Sequence, residues 1–434
     1  MSTMFNPAVE AASRDHIESA QAEGLCRLLP RLYAAVPSYR EKLDGAGINP
    51  GDLSSLDDLQ HLPFTLKDDL RAAYPYKMFA VPTRDIVRIH ASSGTTGSIS
   101  VVGYTRKDIR DWSECVARSL VAAGAGPDDF LHIAYGYGLF TGGLGLHYGA
   151  EYLGASVIPI SGGNTRRQVQ FLRDLMPTGG LACTPSYAAL LAESALLEGT
   201  DLTQLPLRFG IFGAEPWSEN MRKSLEASLG IDAYDIYGLS EIMGPGVAFE
   251  CREKAGLHVN EDQFIVEIVD KDTKLPVPEG AYGELVFTTI AKEGIPLLRY
   301  NTHDITRIIP GACACGRTHK RIERITGRSD DMIIVRGVNV YPSQIEQVLL
   351  SFEGKLAPHY QVVLTREAAL DAMEVRVELA PSFDFDEIRA LEQLTQQVRR
   401  AIAEALMVRV KMTIVEPNSI ARSEGKAVRL IDNR

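Results

Sequence analysis

The stretch that decides the fold runs from residue 130 to residue 238. It contains FLHIAY (130–135), ASVIPI (155–160), TRRQVQFLRDLM (165–176), GLACTPSYAALLAESALLEG (180–199), LRFGIFGA (207–214), SENMRKSLEASLG (218–230) and DAYDIYG (232–238). Short apolar runs of strand length alternate with longer segments whose apolar residues return at helical spacing. That alternation predicts a largely parallel sheet covered by helices. Upstream, residues 13 to 45 read as a helical lead-in with Leu25, Leu28, Leu29, Leu32 and Tyr33 on one face, followed by Pro and Gly punctuation between 49 and 63. Downstream of residue 263, strands succeed one another in FIVEIVD, GELVFTT and LLRYNTHDITRII, which suggests an antiparallel or barrel-like addition. From about residue 330 the order is strand, helix, two strands, long helix and strand, enough for an α+β unit of roughly 100 residues. The expected fold is therefore α/β: a large N-terminal domain (1–329) with helix-covered, mostly parallel sheets plus a barrel-like part, and a small C-terminal α+β domain (330–434).

Composition narrows the function classes. Of 434 residues, 45% are apolar and 23% charged, which excludes a disordered or collagenous chain. No apolar stretch of about 18 residues occurs, and acidic residues come too early at the N-terminus for a signal peptide, so a cytoplasmic protein without membrane attachment is expected. The balance of 45 basic and 56 acidic residues leaves −11, a field that repels polyphosphate backbones and argues against nucleic acid as a partner. Of six cysteines, Cys26, Cys115 and Cys183 sit singly in apolar patterns and read as buried thiols.

Several segments are too polar or too charged for their surroundings. ASSGTTGSIS (91–100) lies between two strand candidates; Gly94 and Gly97 free its backbone, and Ser92, Ser93, Thr95 and Thr96 add hydroxyl donors. It reads as a phosphate cradle or as a plain hairpin, and it lacks the GK[ST] of a Walker loop. YGLSE (237–241) ends a strand at the carboxyl edge, where open α/β sheets bind ligands. Glu241 there reads as a Mg²⁺ ligand or as a helix cap. Asp304 stands in an alternating strand where a carboxylate needs a partner, which the two hydroxyls of a ribose would supply. Gly327, Arg328, Asp330, Asp331, Arg336 and Gly337 cluster at the domain boundary as in a hinge or a polar linker, and Lys426 sits on a Gly-containing loop where a lysine is ordinarily a solvated charge.

Taken together, SSGTTG (92–97), FGAEPW (212–217), YGLSE (237–241), GELVFTT (283–289), Asp304, GRSDD (327–331) and the GK at 425–426 resemble the adenylate-forming enzymes, and most closely the phenylacetate-CoA ligases. The resemblance covers nearly the whole chain, and YGYGLFTGGLG (135–145) and RGVNVYPSQIE (336–346) point to that subfamily. It implies a two-step reaction in which a carboxylate is activated by ATP as an acyl adenylate and then transferred to CoA. By this resemblance Lys426 bridges carboxylate and α-phosphate, and the Ser92–Gly97 loop embraces the β and γ phosphates. Glu241 holds Mg²⁺, Asp304 the ribose and Arg328 the ribose or phosphate. Gly213, Ala214, Glu215, Pro216, Tyr237 and Gly238 belong to the nucleotide-side motifs. The small domain is mobile, swinging about Asp330 so that Lys426 leaves and the Gly337 loop enters. The aryl group lies against Tyr135, Tyr137, Phe140, Gly213, Ala214 and Pro245, with a core role for Phe140 left open. A homodimer is a further expectation.

Departures from the family pattern bear on the acid. Ser98 and Ile99 replace the usual Lys-Pro after the phosphate loop, Asn301 and His303 replace arginines, and Asn260 and Gln263 stand where Trp and His are common. Such changes suggest an altered acid such as a benzoate or anthranilate. A carrier-protein-loading enzyme and a non-catalytic adenylate binder are the other readings. Finally, Cys251, His258, Cys313 and Cys315, with His319 nearby, have the ligand types and short spacings of a structural Cys₃His zinc, against free thiols or a disulfide.

Overall fold

The computed structural model describes residues 3–51, 53, 55–92, 99–330, 333–335, 338–352, 354–367, 370–380, 383, 388–406, 408–422 and 429–434. Ser93, Gly94, Thr95, Thr96, Gly97, Gly337 and Lys426 lie outside the described residues.

The lead-in is two helices, Arg14–Ala35 and Pro37–Gly45, where the sequence suggested one. Pro37 is the reason: a proline pushes the residue before it out of the helical region, and Val36 is extended at φ −118°, ψ 105°. Leu25, Leu28, Leu29 and Leu32 are buried, as the periodicity predicts. Cys26 is not: it is exposed, because it falls about 100° round the helix from Leu25, whereas Cys115 and Cys183 are buried.

A nine-stranded sheet forms the body. Ser156–Ile158, Phe130–Ile133, Gly179–Cys183, Leu207–Gly213 and Asp232–Leu239 run parallel, in that spatial order. Gly244–Glu250, Leu257–Val259, Arg321–Ile322 and Ile308–Ile309 continue it antiparallel. Alternate residues serve opposite faces: Ala182 joins a core with Trp112, Val116 and Leu146, while Leu181 and Cys183 join another with Val169, Leu191 and Leu225. Close strand approach at the functional edge demands glycine. A Cβ at Gly238 would lie 1.6 Å from the carbonyl oxygen of Gly244, and one at Gly213 would lie 2.1 Å from that of Ile236.

The antiparallel addition is a four-stranded sheet, Phe264–Val269, Gly283–Thr289, Tyr300–Thr306 and Gly327–Arg328. Its first and last strands are edges, so among the described residues it does not close into a ring. The smaller C-terminal domain has its own core, including Ile333, Ile345, Val362, Val375, Val398 and Ile402. There the helix Ile388–Leu406 packs with a sheet of Lys411–Val415, Leu370–Leu379, Leu356–Glu367 and Leu430–Asp432. No helix among the described residues is long and apolar enough to cross a membrane.

Candidate active site and cysteine cluster

Glu241 follows the strand Asp232–Leu239 in a tight turn, and its side chain is almost fully buried. The Ser92 hydroxyl donates to Glu241 Oε1 at 3.0 Å, and Lys67 Nζ lies 3.3 Å from the same oxygen. The last described residue before the glycine-rich loop thus touches the carboxylate of YGLSE. Lys67 was not singled out in the sequence. A signal was available: it opens the helix Lys67–Ala72, at the end where the dipole disfavours a cation unless an anion answers it. Lys292 was also missed. It is buried beneath the turn, donating to the carbonyls of Ile242 (2.5 Å) and Glu241 (3.4 Å) with its ammonium over the Tyr104 ring. Burial pulls its pKa down to about 8.

Asp304 lies on the neighbouring sheet, buried, with the Tyr237 hydroxyl donating to Oδ2 at 2.5 Å and Arg328 Nη1 3.3 Å from Oδ1. Burial raises its pKa, and the Arg328 charge opposes that shift. Arg328 also forks onto Asp330 at 2.8 and 2.7 Å. Burial works against ionisation of Asp330, yet the hydrogen bonds and charge of Arg328 hold its carboxyl below the ordinary range. Tyr237, Asp304, Arg328 and Asp330 therefore form one chain from the sheet edge to the domain boundary.

On the acyl side, the Tyr135 hydroxyl donates to the Gly213 carbonyl at 3.2 Å, and the Tyr135 and Phe140 rings are 6.3 Å apart. Phe140 precedes the helix Thr141–Leu153 and is 44% exposed, so it is not a core residue. Tyr137 is half-buried and pairs with His147 at 3.3 Å. Pro245 accepts from the Trp112 indole at 2.8 Å. Ala214 and Pro216 are exposed, and Ala214 takes a left-handed φ of 70°, a conformation that costs a non-glycine residue. Glu215 accepts from the Ser186 backbone N–H at 2.7 Å.

Asn301 and His303 share the strand of Asp304. Asn301 and His303 both bond to Glu284, which Ser329 and Lys274 also reach. Asn260 donates to Gly246 and accepts from Arg118, and Gln263 donates to Asp262. These side chains bond neighbouring protein groups, and His303 also reaches Ser329, beside the Arg328–Asp330 fork.

The other four ligand-type residues do converge. One donor atom from each of Cys251, His258, Cys313 and Cys315 lies within 4.8 Å of all the others. Cys251 and Cys313 Sγ are 3.8 Å apart, and Cys315 Sγ is 3.4 Å from His258 Nε2. A tetrahedron with Zn–S near 2.3 Å has sulfur–sulfur edges of about 3.8 Å, whereas a disulfide needs about 2.05 Å. The residues fit zinc and exclude a formed disulfide. The cluster ties the end of Gly244–Glu250 to Leu257–Val259 and to the turn at 313–315. His319 stands apart from it, with Nε2 3.2 Å from the Val9 carbonyl.

Comparison with known proteins agrees with this geometry. The AMP-binding enzyme family matches residues 52–291, and the AMP-binding enzyme C-terminal domain matches 337–434. A phenylacetate-coenzyme A ligase of Escherichia coli is 50% identical over 434 residues, covering 100% of this chain and 98% of its own. One from Thermus thermophilus is 49% identical, covering 99% and 100%. Among solved structures, a 2-hydroxyisobutyryl-CoA ligase in the postadenylation state superposes with TM-score 0.93 at 30% identity, over 100% of this chain and 93% of that one. The same ligase in its thioesterification state gives 0.73 at 31% identity, with the same coverage, so the two domains here are arranged as in the former state. The chain belongs to the AMP-binding enzyme family, alongside the phenylacetate-coenzyme A ligases.

Proposed function

We propose that the protein is an ATP-dependent, AMP-forming acid–thiol ligase acting on phenylacetate or a closely similar arylacetate. In the first step a carboxylate oxygen bonds to the α-phosphorus of ATP while the bond to the leaving pyrophosphate breaks. In the second, the CoA thiol gives up its proton and bonds to the acyl carbon, and AMP leaves with the electron pair. The observation that carries this reading is the pair of buried carboxylates on two neighbouring sheets, Glu241 facing Ser92 and Lys67, and Asp304 facing Tyr237 and Arg328. Carboxylates buried there are held by exchangeable partners, which is what a transient polar ligand requires.

In this reading Asp304 takes the ribose hydroxyls, and Arg328 turns from Asp304 toward ribose or phosphate. Ser92 and the loop to Gly97 embrace the terminal phosphates, and Lys67 supplies the positive charge that Ser98 and Ile99 do not. Glu241 would hold Mg²⁺, whose charge when bound offsets that of the phosphates. Gly213, Ala214, Glu215, Pro216 and Gly238 shape the nucleotide side. Tyr135, Tyr137 and Phe140 offer aromatic walls, with Gly213, Ala214 and Pro245 as the clearance for a planar ring. Lys426 neutralises the meeting of carboxylate and α-phosphate. The small domain begins near Asp330, which is the hinge, and the Gly337 loop serves the thiol. Cys251, His258, Cys313 and Cys315 would hold a structural zinc. The protein works in the cytoplasm.

A panel of arylacetates and substituted benzoates assayed for acid-dependent AMP release with CoA tests the assignment. Phenylacetate is expected to give the highest kcat/KM. A preference for benzoate or anthranilate would reject the arylacetate assignment.

A further inference from the structure

A group of charged side chains joins the two domains. Arg429 of the small domain is the hub. Its guanidinium pairs with the buried Glu346 carboxylate, lies over the Tyr360 ring at 4.8 Å and donates to the Tyr360 hydroxyl at 3.1 Å. All three residues belong to the small domain. The same guanidinium then crosses to the large domain, donating through Nη2 to Ser186 Oγ at 3.2 Å. The Ser186 backbone N–H is the group that holds Glu215 of the FGAEPW motif, at 2.7 Å. Glu346 feels the charge of Glu215, and Arg429 feels both carboxylates. A cation thus sits between two carboxylates of opposite domains and converts a repulsion into an attraction.

Two further contacts act in the same direction on the same helix, Pro185–Leu197. His359 Nε2 lies 2.9 Å from Glu193, and Arg422, forked onto Glu378, reaches Glu193 at 3.7 Å. Arg429 is also fixed to its own domain, since its carbonyl accepts from Val362 at 2.7 Å and the strand Leu430–Asp432 follows directly. A residue three positions away cannot stray more than about 11 Å along the chain. Lys426 stands three positions before it.

We propose that Arg429 is a positioning residue for adenylate formation: by bridging Glu346 to the Ser186–Glu215 wall it holds the small domain in its present pose, the one the ligase reading assigns to adenylate formation. This rests on the ligase reading and on the role given there to Lys426. Arg429 acts only through the domain pose, so its loss separates the two half-reactions.

The test compares acid-dependent pyrophosphate exchange with thioester formation from supplied phenylacetyl adenylate and CoA. In Arg429→Met, exchange is expected to fall about tenfold to a hundredfold while thioester formation changes by less than about twofold. Arg429→Lys should recover part of the exchange. Glu193→Lys, which repels Arg422 and removes the carboxylate facing His359, should move the two rates in the same sense by a smaller factor. If Arg429→Met loses both activities together, Glu193→Lys decides, and an unsplit response there overturns the proposal, as does an Arg429→Met enzyme with unchanged exchange. A wild-type enzyme without exchange would instead sink the ligase reading, and a Lys426→Ala enzyme that loses both half-reactions equally would sink the assigned role of Lys426.

Discussion

The segment from Asp232 to Val259 contributes to two clusters of ligand-type side chains, and the two are satisfied in different ways. At Glu241 and Asp304 every carboxylate already has protein partners: a hydroxyl and an ammonium for one, a phenol and a guanidinium for the other. At Cys251, His258, Cys313 and Cys315 the side chains turn mainly to one another, with the backbone N–H groups of Glu253 and Arg317 donating to the sulfurs of Cys251 and Cys315, and among the described residues the buried Nδ1 of His258 has no hydrogen-bond partner. Groups that bind a ligand and release it need stand-ins for the empty state, because a bare buried charge is too costly. Groups that hold a resident ion need only one another and the ion. The first arrangement suits turnover and the second suits permanence.

This contrast can be broken by mutation at either end. The largest expected effect is at the carboxylate end. Glu241→Gln keeps the Ser92 contact but removes the charge, and should lower kcat about a hundredfold to a thousandfold with little change in melting temperature. A variant that melts much lower while keeping its rate would make Glu241 a structural residue. At the sulfur end the pattern reverses. Cys313→Ser should lower the melting temperature by about 10 °C and reduce bound zinc, whereas the kcat of the remaining folded enzyme stays within about twofold. Purified wild-type protein with less than about 0.2 equivalents of zinc would contradict the cluster's assignment.

The smallest effect comes from a third buried group on the same sheet, His132 of Phe130–Ile133, which bonds Gln168 at 2.8 Å and has no ligand to await. Burial lowers its pKa to about 4. The unfolded chain therefore takes up this proton first as the pH falls, so stability is full above about 6.5 and declines toward pH 4, by about 3 kcal/mol in all. Denaturant unfolding across that window should show a shallower decline for His132→Gln. Parallel curves would remove His132 from the account.

How much of this was legible beforehand depended on whether a signal was local. The parallel sheet was readable because strand and helix periods alternate along the chain. Glu241 and Asp304 stood out because a carboxylate at a strand end or inside a strand is out of place on its own. The break at Val36, by contrast, falls at Pro37, one of two prolines in an otherwise helical pattern, whereas Pro30 lies inside the first helix without ending it. The short strands Val338–Val340 and Leu430–Asp432 were missed because they take their identity from partners, Ile333–Val335 and Leu356–Glu367. Lys67 and Lys292 serve the Glu241 turn from segments 174 and 51 positions away, and only the tertiary fold connects them. The same holds for the bonds of Asn301 and His303: their partner, Glu284, lies on the paired strand.

The central claim is that one pocket brings an arylacetate and ATP together to form an acyl adenylate. It is tested most directly by the exchange of labelled pyrophosphate into ATP in the absence of CoA. Exchange that requires phenylacetate and Mg²⁺, and that disappears in Glu241→Gln, is the predicted result. No exchange with any arylacetate or benzoate, or exchange that proceeds equally without an acid, would contradict it.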